Sequence, residues 1–364
     1  MPLNLNKKTH SVGTISLLQR HLMHENRFLG VGFNARYPLS SLVNYIKVKA
    51  GLKTKSSRAW GYPIHITIEP TNCCNLKCPL CLTGIESLGR PKGKMTLGQF
   101  EAIIDEIKGY VLRLEIAGCG EPFLNPDLCK MIRYASDAGV WVHLDTNGIL
   151  INTEQKVCEL INSGLGLLNM SIDGASQETY EEYRVGGKLQ VVIKNLKLLI
   201  EEKVRQDGPY PEIVWQVVVT RNNEHEIEEM QRMADTLGVD RFVTKGVSLA
   251  GISLPGSGIV PKTLSDRFVP TNALFHRHKA AKEVVYRNGC SALYKNAFIL
   301  WNGDVSTCCH DAKGENIMGN IFEAGSFHKV WNAPRYRQLR RQVNADISKA
   351  DPLCSICPAR VCLR

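Results

Sequence analysis

The spacing of hydrophobic residues predicts a series of alternating strands and helices in the middle of the chain. Six short stretches rich in β-branched residues are typical of strands: Ile64–Glu69, Arg113–Ala117, Trp141–Thr146, Leu167–Ile172, Ile213–Thr220 and Arg241–Lys245. Five longer stretches repeat hydrophobic residues at helical spacing: Leu97–Gly109, Pro126–Ala138, Thr153–Ser163, Leu189–Val204 and Glu224–Leu237. This alternation predicts an α/β fold with a parallel, barrel-like sheet, which we assign to residues 61–250.

The region before the predicted barrel is strongly basic. Residues 1–60 hold ten Lys or Arg and one Glu, and contain two amphipathic segments, Thr14–Phe28 and Leu39–Lys53. A basic arm packed on the barrel is the more common arrangement. The alternative is peripheral contact with an anionic membrane surface or with an acidic partner.

The region after the predicted barrel divides into a linker and a small domain. Residues 251–285 begin with a segment rich in Gly and Pro, typical of a linker or a loop on the substrate side. Residues 286–364 contain two strand-like stretches, Asn296–Leu300 and Val305–Cys308, on either side of an Asn-Gly turn. A helical stretch, Ser326–Val343, follows them.

Composition narrows the class of protein. The chain has 364 residues and a net charge of +10, of which +9 lies in residues 1–60, so the nearly neutral body gives no reason to expect nucleic acid as a substrate. No apolar run is long enough to span a bilayer and no signal-peptide pattern opens the sequence, so we expect a cytoplasmic protein. Thirteen cysteines in such a chain favour metal ligation over disulfides.

The first group of cysteines follows the first predicted strand with the spacing Cys74-x3-Cys78-x2-Cys81. Three thiolates this close suit an iron–sulfur cluster, because each iron prefers a soft ligand and one iron keeps an open position. A structural iron–sulfur or zinc knuckle is the alternative.

The second group of cysteines lies in the small domain. The hairpin predicted around Gly303 brings Cys290 and Cys308 together, and Cys354-x2-Cys357 follows near the end of the sequence. Two remote cysteine pairs fit either an iron–sulfur cluster or a zinc ribbon.

The first motif resembles the signature of the radical S-adenosylmethionine (SAM) superfamily, and the resemblance extends over about residues 62–362. It implies a partial (β/α)6 TIM-like barrel, a [4Fe–4S] cluster on Cys74, Cys78 and Cys81, and reductive cleavage of SAM to a 5′-deoxyadenosyl radical. An external electron donor such as flavodoxin or ferredoxin is implied as well.

Three further motifs at strand ends resemble the SAM contacts of that family. The motifs are Gly118-Cys119-Gly120-Glu121-Pro122, Thr146-Asn147-Gly148, and Ser171-Ile172-Asp173-Gly174 followed by Tyr183-Arg184-x-Gly186-Gly187. The implied SAM-binding residues are Gly118, Gly120, Glu121, Asn147, Ser171, Asp173 and Arg184, with Ser171 and Arg184 at the carboxylate and Asp173 on the ribose side. Cys119 departs from the family's pattern. It is either a small-residue substitute or a thiol able to donate a hydrogen atom.

The second group of cysteines resembles the SPASM/twitch extension of radical SAM enzymes. The implied ligands of one auxiliary [4Fe–4S] cluster are Cys290, Cys308, Cys354 and Cys357, with Cys309 or Cys362 as possible substitutes. We therefore expect a radical SAM oxidoreductase that oxidises or epimerises a small molecule such as a sugar, cyclitol or lipid-linked glycan. The alternatives are a peptide- or protein-modifying maturase and a non-catalytic iron–sulfur electron carrier.

Overall fold

The structure is a computed structural model that describes residues 38–247, 266–275, 284–286, 288–355, 357 and 361–363. Of the expected elements, the amphipathic segment Thr14–Phe28 and most of the Gly- and Pro-rich linker lie outside the described residues. No described helix is long and apolar enough to cross a membrane.

Nine of the described strands form one sheet. They are β1 His65–Ile68, β2 Arg113–Ile116, β3 Val142–Thr146, β4 Leu167–Ser171, β5 Glu212–Val219, β6 Arg241–Gly246, β8 Asn296–Ile299, β9 Asp304–Ser306 and β10 Ile317–Asn320. Their order across the sheet is β10-β9-β8-β1-β2-β3-β4-β5-β6. Strands β1 to β6 pair in parallel, each with the next along the chain. The mixed α/β fold with a partial barrel is therefore confirmed.

Helices connect and cover the strands. They are α1 Leu39–Lys53, α2 Leu97–Ile107, α3 Leu128–Asp137, α4 Glu154–Ile161, α5 Gln177–Tyr183, α6 Leu189–Arg205, α7 Ile227–Leu237, α8 Ala292–Lys295, α9 Ile321–Ala324, α10 Phe327–Trp331, α11 Pro334–Ala345 and α12 Pro352–Ser355. Thr96 and Thr153 start α2 and α4 as N-caps, since each side chain accepts a hydrogen bond from the first turn. A separate antiparallel pair joins β7 Val284–Tyr286 to β11 Val361–Leu363.

The two faces of the first strands differ in polarity because side chains alternate along a strand. Ile66 and Ile68 are fully buried. On the other face His65 and Thr67 lie beside Glu115 of β2. Nε2 of His65 is 3.0 Å from a Glu115 oxygen, and the Thr67 hydroxyl donates to the same oxygen at 3.2 Å. The inner wall of the partial barrel is therefore polar at β1 and β2.

Strand β8 of the C-terminal region extends the barrel sheet. It pairs in parallel with β1, His65 opposite Asn296 and Ile68 opposite Ile299, and then turns back into β9. This pairing places the C-terminal cysteines beside the strand that precedes the first cysteine loop.

The single helix predicted near the end of the chain is two helices in the structure. The stretch Ser326–Val343 divides into α10 and α11, because Pro334 occupies the first turn of α11 and cannot donate a backbone hydrogen bond to a continuing helix. The buried Arg340 of α11 ties the halves together, with Nη2 donating to the Trp331 carbonyl at 3.1 Å.

Helix α1 has the bounds expected from its pattern and packs against the barrel. Tyr45 and Val48 are buried, and the Asn44 side chain exchanges hydrogen bonds with the backbone of Tyr62 at 2.7 and 2.9 Å. This part of the basic arm therefore belongs to the body of the protein.

Candidate active site and metal centres

The loop after β1 holds Cys74, Cys78 and Cys81, with Cys78 buried and the other two partly exposed. The Leu76 N–H points at Sγ of Cys74 at 3.5 Å, and the Cys81 N–H donates to the Cys78 carbonyl at 3.2 Å. The loop folds closely on itself at Gly84, where an added Cβ would lie 2.4 Å from the Cys78 carbonyl oxygen.

The loop after β2 packs directly against the cysteine loop. An added Cβ at Gly120 would lie 2.3 Å from the Thr71 carbonyl oxygen, so only glycine allows this approach. The Glu121 N–H donates to the Cys73 carbonyl at 2.8 Å. Gly118 has a φ of +152° and lies against the side chain of Glu69.

Glu121 joins this loop to the loop after β3. Its buried carboxylate accepts hydrogen bonds from the Thr146 hydroxyl at 2.7 Å and the Asn147 N–H at 2.8 Å. The Asn147 side chain in turn donates to Oδ1 of Asn75, within the cysteine loop, at 2.9 Å. Three strand ends are thus fastened together around the cysteines.

The partly buried Arg184 forms an ion pair with the buried Asp173 beside Cys78. Nε of Arg184 donates to Asp173 at 2.5 Å, and Nη1 lies 4.0 Å from Sγ of Cys78. The other Asp173 oxygen accepts the Val218 N–H at 2.6 Å. Both oxygens of Asp173 are therefore engaged within the protein. The place on the ribose side that the resemblance implies for Asp173 stays a prediction. Ser171 is partly exposed at the end of β4.

The second group of cysteines lines a cavity of about 600 Å³. Its wall contains Cys290, Cys308, Cys309 and Cys357, and also Cys119. The polar inner face of β1 and β2 forms the opposite part of the wall through His65, Thr67 and Glu115. The cavity therefore reaches from the partial barrel to the C-terminal cysteines.

Cys354 is not among the described residues that line the cavity. It lies on α12, and its carbonyl accepts a hydrogen bond from the Cys357 N–H at 3.4 Å. Cys309, expected only as a substitute ligand, does line it. The side chain of Cys362 lies outside the described residues.

A tight turn presents Cys308. The Asp311 N–H donates to the Cys308 carbonyl at 3.0 Å, and the Asp311 carboxylate accepts the Ser306 hydroxyl at 2.6 Å and the Asn316 N–H at 3.0 Å. These bonds fix the turn that follows β9 through the Asp311 carboxylate and the backbone.

The residues present fit iron–sulfur clusters. Burial raises the pKa of the Cys74 thiol to about 11 and raises that of Cys308 as well, so without a metal both would stay protonated at neutral pH. A bound metal holds such sulfurs as thiolates. The Tyr336 and Thr307 hydroxyls are buried and find no hydrogen-bond partner in the described part of the chain. Burial raises the pKa of Tyr336, and a thiolate at Cys308 adds to that rise. Buried donors of this kind suit a neighbouring sulfur acceptor.

Two protein-family comparisons match separate parts of the chain. The radical SAM superfamily matches residues 68–240, and the SPASM iron–sulfur cluster-binding domain matches residues 290–358. The chain therefore contains a radical SAM domain followed by a SPASM domain. These two domains imply a SAM-binding [4Fe–4S] cluster, auxiliary iron–sulfur ligation and SAM itself, which confirms the cofactors expected from the motifs.

Several known proteins resemble this one over more than half of its length. Mycofactocin maturase MftC of Mycobacterium ulcerans (strain Agy99) is 28% identical over 300 residues, 78% of each chain. PqqA peptide cyclase of Bradyrhizobium diazoefficiens is 26% identical over 211 residues, 58% of this chain and 53% of the cyclase. The fold matches Streptococcus suis SuiB bound to precursor peptide SuiA, with a TM-score of 0.62 and 20% identity over 94% of this chain and 84% of SuiB.

Arg90, which the motifs did not single out, also shapes this site. Arg90 pairs with the buried Glu69 through two hydrogen bonds, one of them 2.7 Å long, and Nε of Arg90 donates to the Ala312 carbonyl at 2.9 Å. Sγ of Cys119 lies 3.9 Å from the same carbonyl, and burial raises the pKa of this thiol to about 12. No local pattern marks Arg90, because its partners come from distant segments.

Proposed function

We propose that the chain is a radical SAM enzyme that modifies a peptide. The supporting observation is the set of relatives, which includes a maturase, a peptide cyclase and a fold match that holds a precursor peptide. These relatives favour the maturase alternative over the sugar, cyclitol or glycan substrate expected from the motifs. The reaction class is a radical modification, and oxidation is one form of it.

In this proposal Cys74, Cys78 and Cys81 hold the SAM-binding cluster. When bound, a [4Fe–4S] cluster supplies the one-electron reduction of SAM that yields the 5′-deoxyadenosyl radical, which can take a hydrogen atom from an unactivated carbon. The chain's own contribution is to hold the three sulfurs in one loop, with Cys78 buried and Cys74 and Cys81 partly exposed.

The neighbouring loops orient SAM. Gly120 lets the loop after β2 approach the cysteine loop, and Gly118 lies against Glu69. The backbone carbonyls of this loop are the proposed partners of the SAM amino group. Glu121 and Asn147 fix the geometry of that approach. Arg184, held by Asp173, presents a guanidinium to the SAM carboxylate, and Ser171 stands at the neighbouring strand end.

The C-terminal cysteines hold one auxiliary cluster. Cys290, Cys308 and Cys357 line the same cavity and are three of its ligands, and the fourth is Cys354 or Cys309. The region between residues 251 and 285 remains the proposed boundary between the barrel and this domain. An electron donor of the flavodoxin or ferredoxin kind would supply the reducing equivalents.

The cavity of about 600 Å³ is the proposed place of the reacting residue. It lies beside the auxiliary cysteines and beside Gly118 and Cys119 of the loop after β2. Its wall offers Glu115, Thr67 and His65 for hydrogen bonds to a peptide segment.

The test is an anaerobic reaction with reconstituted enzyme, SAM, dithionite and each short peptide encoded beside its gene. We expect 5′-deoxyadenosine to form and one peptide to change mass only when SAM is present. Formation of 5′-deoxyadenosine without a change in any peptide, together with conversion of a sugar or cyclitol, would return the assignment to a small-molecule substrate. Reconstitution without SAM cleavage would favour an electron carrier.

A further inference from the structure

Helix α1 carries a row of exposed apolar side chains. Leu39 is 77% exposed, Val43 42% and Ile46 49%. Because these residues are four and three positions apart, they share one side of the helix. Apolar residues scattered singly over a protein surface are ordinary, whereas a row of three along one helix indicates a contact surface.

The opposite side of α1 already packs on the barrel. Ser41, Tyr45 and Val48 are buried, and the Ser41 hydroxyl donates to the Gly109 carbonyl at 3.4 Å. These contacts fix the orientation of the helix, so the exposed row cannot pack on the barrel as well. The row therefore lies on the surface of the described part of the chain.

Basic side chains flank the exposed row. With about 3.6 residues per turn, Lys47 lies on one side of the row and Lys49 on the other, and Lys53 follows in the last turn of the helix. No acidic residue occurs in the sequence between residues 38 and 68. The surface therefore combines apolar side chains with positive charge that the neighbouring sequence does not neutralise.

The segment after α1 continues this character. Lys55 and Arg58 are exposed, and Trp60 is 51% exposed. An added Cβ at Gly51 would lie 3.7 Å from Cβ and Cγ of Trp60, so the indole is close to the end of α1. Tryptophan is enriched where a bilayer meets water, because its ring is apolar and its N–H is polar.

We infer that this face of α1 binds the surface of an anionic lipid bilayer, with the helix lying in the plane of the interface. Apolar side chains inserted among the headgroups and lysines close to the lipid phosphates are the two interactions that hold such helices. An acidic partner protein accounts for the lysines, but an apolar row with lysines on both sides is the pattern of interfacial helices. The inference does not depend on the substrate assigned to the enzyme.

The test is co-sedimentation of the full-length, cluster-loaded protein with lipid vesicles. We expect binding to phosphatidylcholine vesicles that contain about 30% phosphatidylglycerol, and binding at least about tenfold weaker to phosphatidylcholine alone. High salt should weaken the binding, because it screens the lysines.

Variants of the apolar row show whether α1 makes the contact. Val43→Ser combined with Ile46→Ser should weaken vesicle binding by about tenfold or more, since it removes most of the inserted apolar surface. The matched control is Val191→Ser combined with Val204→Ser, which changes two exposed valines of α6 and should leave binding unchanged. The iron content should be the same in both variants, because all four side chains lie on the surface.

Charge reversal tests the second interaction. Lys47→Glu combined with Lys53→Glu should also weaken binding to the anionic vesicles by about tenfold or more. Wild-type protein that binds neither vesicle, or both equally, would overturn the inference. Equal binding by the wild type and the α1 variants would overturn it too, because the contact would then lie elsewhere in the chain. If the wild type ignores vesicles and these variants weaken its binding to an acidic flavodoxin, the face is a protein-docking surface instead.

Discussion

The SAM-side loop takes its three cysteines from eight consecutive residues, whereas the auxiliary site gathers cysteines from segments up to 67 residues apart. The first loop is fastened by Glu121, Asn147 and Asn75 across three strand ends. The second site depends on β8, the turn after β9 and the segment around α12 meeting at one cavity. A centre built locally keeps its ligands when distant segments shift, and a centre built from distant segments does not.

The largest effect on activity is expected from substitutions in the loop that holds Cys74, Cys78 and Cys81. Cys74→Ala, Cys78→Ala or Cys81→Ala should each abolish SAM cleavage, because each removes one of only three protein ligands. The measurement is 5′-deoxyadenosine formed under dithionite, with Cys158→Ala, an exposed cysteine, as control. Cleavage by a variant lacking all three thiols would refute the assignment of the loop.

Substitution of auxiliary ligands should remove the auxiliary cluster but leave SAM cleavage intact. Cys290→Ala combined with Cys357→Ala should remove about four irons per chain, one cluster. Cleavage of SAM without substrate should continue. Iron and sulfide are counted after anaerobic reconstitution, and an unchanged count would contradict the auxiliary assignment.

Substitution of the fourth auxiliary ligand should have a smaller effect on iron content, which distinguishes Cys309 from Cys354. Because Cys309 lines the cavity and Cys354 does not, Cys309→Ala should lower the auxiliary iron content more than Cys354→Ala. Electron paramagnetic resonance of the reduced proteins would show which variant keeps the second signal. The reverse order would restore the ligand set expected from the sequence.

The smallest effect concerns the fastening of the local loop. Asn75→Ala leaves the buried side chain of Asn147 without its partner and should lower the free energy of unfolding by about 1 kcal/mol. Thermal unfolding of the holoenzyme measures this, and iron content should stay the same. Loss of the SAM-binding cluster would mean that the loop depends on this contact more than its local spacing suggests.

The same difference explains what the sequence could predict. The strands, most helices and the first cysteine loop follow from short-range patterns, and their observed bounds lie within a few residues of those expected. The parallel pairing of β8 with β1 joins residues about 230 positions apart, and no local pattern encodes it.

The expectation of a small-molecule substrate rests on the number of cysteine ligands in the auxiliary site. Substrate choice depends instead on the shape and polarity of the cavity. Those properties arise from His65, Glu115 and the C-terminal segment together. Hydrophobic periodicity does not report which polar side chains meet across the barrel.

The pairing of β1 with β8 has a consequence for how the chain is made. On the ribosome the first barrel strand emerges more than 200 residues before its neighbour, His65 before Asn296, so one edge of β1 stays unpaired during most of synthesis. Contacts this distant in sequence slow folding, and an open strand edge invites association with other chains. A nascent chain that has not yet reached β8 exposes that edge. We expect it to depend on chaperones until β8 has been synthesised.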